Sequence, residues 1–102
     1  MSNRLDYFEI AEIARFLVEK IKAGQTSFFN DFFNQVELIL SNCESYVEDL
    51  IVVGLFEGIQ NIGGKDIDYH QGFDKWLRPV SKQKWVNLID SWEGPSWRNT
   101  NQ

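Results

Sequence analysis

The chain predicts an all-α fold, a compact bundle of about four to five helices, on three observations. Apolar residues recur at steps of three and four in three separate stretches. Turn residues punctuate them at Gly24, Gly63-Gly64 and Gly94-Pro95. The one β-branched run, Ile51-Val52-Val53, lacks the strict alternation of a half-buried strand. Residues 1–102 are read as one helical domain, with no repeats and no low-complexity segment.

The first helix is expected over Asp6 to Ala23. Ile10, Ile13, Ala14, Leu17 and Ile21 share one face at a 3.6-residue period. Lys20 and Lys22 suit the negative end of its dipole, and Gly24 can take a positive φ just beyond it. Thr26 or Ser27 is expected to cap the second helix. Its stripe is Phe29, Phe32, Phe33, Val36, Ile39 and Leu40.

Ser45 and Glu48 have the spacing of a capping box, so a third helix is expected from there to about Asn61. Its residues are apolar on most sides, which predicts a central, buried helix. Gly54 and Gly58 lie four apart on one face. Interior glycine costs about 0.8–1 kcal/mol relative to alanine, so a close neighbour is expected there. Glu57 reads either as a carboxylate at the edge of the stripe or as a partly buried one with a bonded partner.

Ile62 to Gln71 is expected to be the main loop. Phe73, Trp76 and Leu77 suggest a short helical turn ended by Pro79. Ser81 is expected to cap a last helix with Trp85, Leu88, Ile89 and Trp92 on one face, stopped at Gly94-Pro95. The tail from Ser96 to Gln102 is polar apart from Trp97.

Aromatic residues make up 15% of the chain, enough for a few large rings to stabilise a short domain or furnish a recognition surface. Cys43 is the single cysteine, so a reducing, cytoplasmic setting is expected rather than a disulfide-stapled one. The opening residues carry acids early and no apolar run, unlike a secretory leader. The longest apolar stretch, Leu50 to Phe56, is too short to span a bilayer.

Charge is unevenly spread. Between Thr26 and Asp74 nine acids face one base, Lys65, a net of −8. Such a field repels nucleic acid and anionic membranes and attracts basic proteins. It also serves solubility alone, as a solvated face.

Catalytic patterns are missing. One cysteine and one histidine cannot make a zinc set, and His70 has no nucleophile motif beside it. No arginine lies between Arg15 and Arg78, so the Arg-then-His arrangement of helical nucleases is lacking. A calcium loop begun at Asp66 would need an acid or amide at His70, glycine at Gln71 and glutamate at Leu77. No enzyme activity and no cofactor are therefore expected.

Recognition remains. Asp66, Asp68 and Tyr69 fall in the expected loop, with Asp74 close by. In an extended stretch Asp66 and Asp68 would point the same way and offer paired acceptors to arginine or lysine. Glu44, Glu48 and Asp49 form a second acidic group, which also suits the positive end of the third helix.

The segment Asp-Leu-Ile-Val-Val-Gly-Leu-Phe-Glu-Gly-Ile-Gln-Asn, preceded by Phe-Phe-Asn-Gln-Val-Glu-Leu-Ile-Leu, resembles small bacterial immunity proteins. These are the antitoxins of contact-dependent growth inhibition and related polymorphic toxin systems. The resemblance covers roughly Phe28 to Trp92. It implies a cytoplasmic monomer bound one to one to a basic toxin domain, a nuclease above all, whose active site it occludes. No contact motif is shared, so the partner-binding residues rest on charge and exposure. The alternative is a helical regulatory or ligand-binding accessory domain that self-associates through aromatic residues. Two observations separate the readings. Internal salt bridges from Arg78, Lys82 and Lys84 to Asp66, Asp68 and Asp74 would weaken the first. An apolar pocket lined by the paired Phe residues would favour the second.

Overall fold

Asp6 opens the first helix through a reciprocal cap. Its carboxylate accepts the Glu9 N–H at 3.0 Å, and the Glu9 carboxylate accepts the Asp6 N–H at 3.1 Å. The computed structural model describes residues 6–94, and Trp97, Pro95 and the polar tail fall outside them. Helix α1 runs Tyr7–Lys22 and buries Ile10, Ala14, Leu17 and Val18. Gly24 follows with φ +73, the left-handed turn expected of it.

Helix α2 runs Phe29–Leu40. Neither Thr26 nor Ser27 caps it with a side chain. Phe28 occupies the cap position in helical φ/ψ, and the Phe29 N–H bonds the Thr26 carbonyl instead. A backbone turn thus does the work assigned to a hydroxyl.

The expected third helix is present but composite. An α-helical turn, α3, spans Ser45–Asp49. A π-helical segment then spans Leu50–Phe56, and helix α4 spans Glu57–Gly63. The Glu57 N–H bonds the Val52 carbonyl, five residues back. The capping box at Ser45 does not form. Glu44 is the cap residue, without a side-chain bond, and the Glu48 carboxylate goes to Lys84. Helix α4 also runs further than expected, into the first residues assigned to the loop. The break comes at Gly64, whose φ of +46 only glycine takes readily, followed by a 3-10 turn over Gly64–Asp66.

Helix α5 runs Pro79–Glu93, so Pro79 begins it rather than ending the preceding turn. Ser81 lies buried inside its first turn, not at the cap. The cap comes from α2. Glu37 accepts the N–H groups of Val80 and Ser81, both at 2.9 Å, and the Ser81 hydroxyl at 2.8 Å.

All regular structure among the described residues is helical, as expected. Helix α1 packs on the π segment and α4, while α2 packs on α5. The α1 seam is close. A Cβ on Gly54 would run into the Ile10 side chain, and one on Gly58 would sit 3.1 Å from the Ala14 methyl. Between α2 and α5 the core is built around aromatic rings, with Val36, Leu77 and Ile89 among its buried aliphatic residues. Phe29 lies 4.7 Å from Trp76, Phe73 lies 4.8 Å from Trp85, and Phe56 lies 5.3 Å from Trp85, centroid to centroid. Such pairs each contribute about 0.5–1.5 kcal/mol beyond area burial. Trp92, expected on the inner face of α5, is exposed instead.

Candidate partner-binding surface

The fold returns the basic flanks of the chain onto its acidic middle. Lys22, at the end of α1, meets Asp66 at 3.3 Å. Lys82 meets Asp74 at 3.0 Å, and Lys84 meets Glu48 at 2.7 Å, both from α5. Three of the seven predicted contact residues therefore hold internal ion pairs. These are exposed pairs, each worth about 0–1 kcal/mol, so they neutralise more than they stabilise.

Tyr69 is not the free contact ring that its loop position suggested. It is half-buried, and its hydroxyl donates to Glu93 at 2.5 Å. Its carbonyl accepts the Trp85 indole N–H at 2.7 Å, which anchors the loop to the buried ring of α5. The bond to the Glu93 carboxylate, with burial behind it, pushes the Tyr69 pKa up to about 12. His70 Nε2 meets the other Glu93 oxygen at 2.8 Å. The Tyr69 hydroxyl first, and then His70, hold Glu93 below its ordinary value. His70 thus belongs to a clasp between the loop and the end of α5.

Asp68 is exposed and accepts the Gln71 N–H at 3.3 Å, a local turn bond. Asp66 closes the 3-10 turn, so the extended alternation that would align it with Asp68 does not occur. The two acids have different partners.

Glu44 and Asp49 stand apart. Both are exposed, and their side chains have no hydrogen bond or ion pair among the described residues. Tyr46, Asp49, Val53 and Glu57 follow at steps of three and four along α3, the π segment and α4. The first three are exposed and Glu57 is half-buried. Glu57 takes the edge reading, with no ring N–H or base bonded to it among the described residues. Asp31 on α2 is exposed and likewise has no pair among them. The predicted acids that hold no ion pair among the described residues are thus Glu44 and Asp49 at the start of α3 and Asp68 in the loop.

Two polar and apolar features escaped the sequence. The first is the clamp of α2 on the start of α5. Asn34 accepts the Arg78 Nε at 2.6 Å and Asn30 accepts its Nη2 at 3.1 Å, beside the Glu37 cap. Burial pushes the Glu37 pKa up. The Val80 and Ser81 N–H groups, the Ser81 hydroxyl and the Arg78 charge outweigh it, so the net shift is downward. Asn30, Asn34 and Glu37 recur at four and three residues, a polar stripe at helical spacing that could have been read.

The second is an apolar pocket of about 230 Å³ between α1, α2 and the central helical run. Ile10 and Ile13 come from α1, and Phe32, Val36 and Ile39 from α2. Val47 on α3, Leu50, Ile51 and Leu55 of the π segment, and Gln35 of α2 through its carbon atoms complete the wall, which exposes no polar atom. One residue of the expected Phe pairs, Phe32, lines it. Among the described residues no group of three metal-binding side chains comes together. No described helix is long and apolar enough to cross a membrane.

The family model of DUF7674, a domain of unknown function, matches residues 2–93, so the chain belongs to that family. No curated protein and no solved structure matches it.

Proposed function

We propose that this member of the DUF7674 family is a non-catalytic immunity protein that binds and occludes a basic toxin domain, a nuclease above all. One observation carries the reading. After internal pairing, the stretch from Thr26 to Asp74 keeps Asp31, Glu44, Asp49, Glu57 and Asp68 without a basic partner among the described residues. Its single base, Lys65, is exposed and cannot offset them. The contact lies at the start of α3, through Glu44 and Asp49, with the exposed ring of Tyr46 between them. Asp49 sits on the helical run and Glu44 caps its start, so both are held close to regular structure, which lowers the ordering cost of binding. An acidic surface of this kind imitates the polyanion that a nuclease site is built to hold.

The test is capture from the native bacterium, at low and then moderate salt, with mass spectrometry of the eluate. Recovery of the C-terminal domain of a large secreted protein at low salt supports the reading. Its co-expression with this chain should restore growth that the domain alone arrests. Equal capture by a Glu44→Lys/Asp49→Lys variant, or no growth rescue, overturns it.

A second reading, a ligand-binding accessory domain, has one observation in its favour, the apolar pocket. Self-association through rings would use Phe8, 76% exposed on α1, and Trp92, 45% exposed on α5.

A further inference from the structure

The apolar pocket rests on different residues from the acidic surface. Four elements converge on it, and its volume is about 230 Å³. It opens to solvent on one side, at the exposed residues Gln35 and Ile39 of α2.

The lining fixes the chemistry of the occupant. Gln35 is its one polar lining residue and turns only carbon atoms to it, so the exposed wall gives water no hydrogen-bond partner and a charged headgroup no counter-charge. A cavity of roughly 150 Å³ lined by Leu, Ile and Phe takes a benzene ring. Scaled by volume, this pocket takes an uncharged apolar group of about six to ten carbon atoms. Ile39, 45% exposed, gives the pocket a mouth on the solvent side of α2.

The wall opposite α2 is the second, independent observation. Leu50, Ile51 and Leu55 belong to the π segment, and π turns inserted into α-helices frequently mark functional sites. We infer that the pocket between α1, α2 and the π segment is a binding site for a small, uncharged, apolar molecule, an alkylbenzene or short hydrocarbon in its chemical class. The inference does not depend on the toxin-binding reading, since Glu44 and Asp49 take no part in the lining.

The experiment is a methyl NMR titration of the full chain with ethylbenzene, with octanoate as the charged-end comparison. Saturable shifts are expected for Ile13, Val36, Ile39, Val47 and Leu50. The surface methyls of Val53 and Ile62 should stay unmoved. Val47→Phe, which fills the pocket, should weaken ethylbenzene by about tenfold or more. Ile39→Glu, at the exposed mouth, should weaken it as well and tolerates the fold better. Octanoate should bind more weakly than ethylbenzene. Shifts that rise linearly across buried and surface methyls alike would overturn the inference. So would unchanged affinity in a folded Ile39→Glu variant, or equal binding of octanoate. A Glu44→Lys/Asp49→Lys variant should leave the titration as it is, so loss of partner capture and loss of ethylbenzene binding are separate results.

Discussion

Glu37 on α2 and Glu44 at the start of α3 stand seven residues apart, carry the same charge and are used in opposite ways. Glu37 reaches across to the first turn of α5 and satisfies two of its N–H groups and a buried hydroxyl. Glu44 is itself a cap residue, yet its carboxylate bonds nothing among the described residues. The same division runs through the whole acidic stretch. Asp66, Asp74 and Glu48 are tied to lysines that flank the acidic stretch, whereas Asp49 is exposed and has no pair among the described residues. Local sequence charge therefore does not tell a structural acid from an available one. The distant segments that fold onto it decide.

Substitutions can break or sharpen this contrast. The largest loss is expected from Glu37→Ala. It leaves the start of α5 uncapped and strips three bonds to a charged acceptor, so stability should fall by about 1.5–3 kcal/mol. A melting temperature within a degree of the parent chain would show that water replaces the carboxylate without cost.

On the seam that contains no charge, Gly54→Leu should cost about 1–3 kcal/mol by overpacking against Ile10. Chemical denaturation reads this directly, and an unchanged midpoint would mean that α1 yields freely. The π segment touches α5 through Phe56 and Trp85, 5.3 Å apart, so a double variant reads how far the two seams are coupled.

The pH dependence follows from Glu37 and Glu93, both held below the ordinary carboxylate value of 4.5. A depressed folded pKa contributes stability that is fully present above 4.5 and is lost as pH falls below it. Tyr69 behaves in the opposite sense. Its contribution is present below the ordinary value of 10.0 and is lost as pH rises towards about 12. Urea midpoints across acid pH should show the first loss in the parent chain. In Glu37→Gln that acid-side loss should be smaller, and a superimposable curve would assign it to other carboxylates.

Asp66→Lys/Asp68→Lys should cost no more than about 1 kcal/mol, the range of exposed ion pairs, and should leave the helical signal intact. Partner association should change little. A large drop in association rate would return the contact to the loop. The smallest effect on stability, within about 0.5 kcal/mol, is expected from Glu44→Lys/Asp49→Lys. Those same changes should slow association with a basic partner at least about tenfold at low salt. Rates that match the parent chain would leave the acidic surface as a solubilising face only.

Helix positions were legible because apolar periodicity is local. The stripe of α1, with Ile10, Ala14 and Leu17, buries as its spacing predicts. Caps were not equally legible. Ser45 and Ser81 have cap-like spacing, but the α5 cap comes from Glu37, 44 residues away from Ser81, and no local pattern announces it. Tyr69 misled for a related reason. Loop membership suggested exposure, while its partners Glu93 and Trp85 lie 24 and 16 residues on. The apolar pocket was hidden as well, because each of its walls is an ordinary amphipathic stripe until four of them meet. The π segment was read as α-helix because both forms place Leu50, Ile51 and Leu55 on the buried side.

That segment also makes the central helix a counting device. A π turn holds one residue more than the α turn it replaces, so deleting Val53 would let the run close into continuous α-helix. The extra residue and its bulge would leave together, so Gly58 would keep its place against the Ala14 methyl and Glu57 its place at the edge of the solvent face. A second deletion would have no bulge to absorb it: everything beyond would turn by about 100°, dismantling a seam and a surface together.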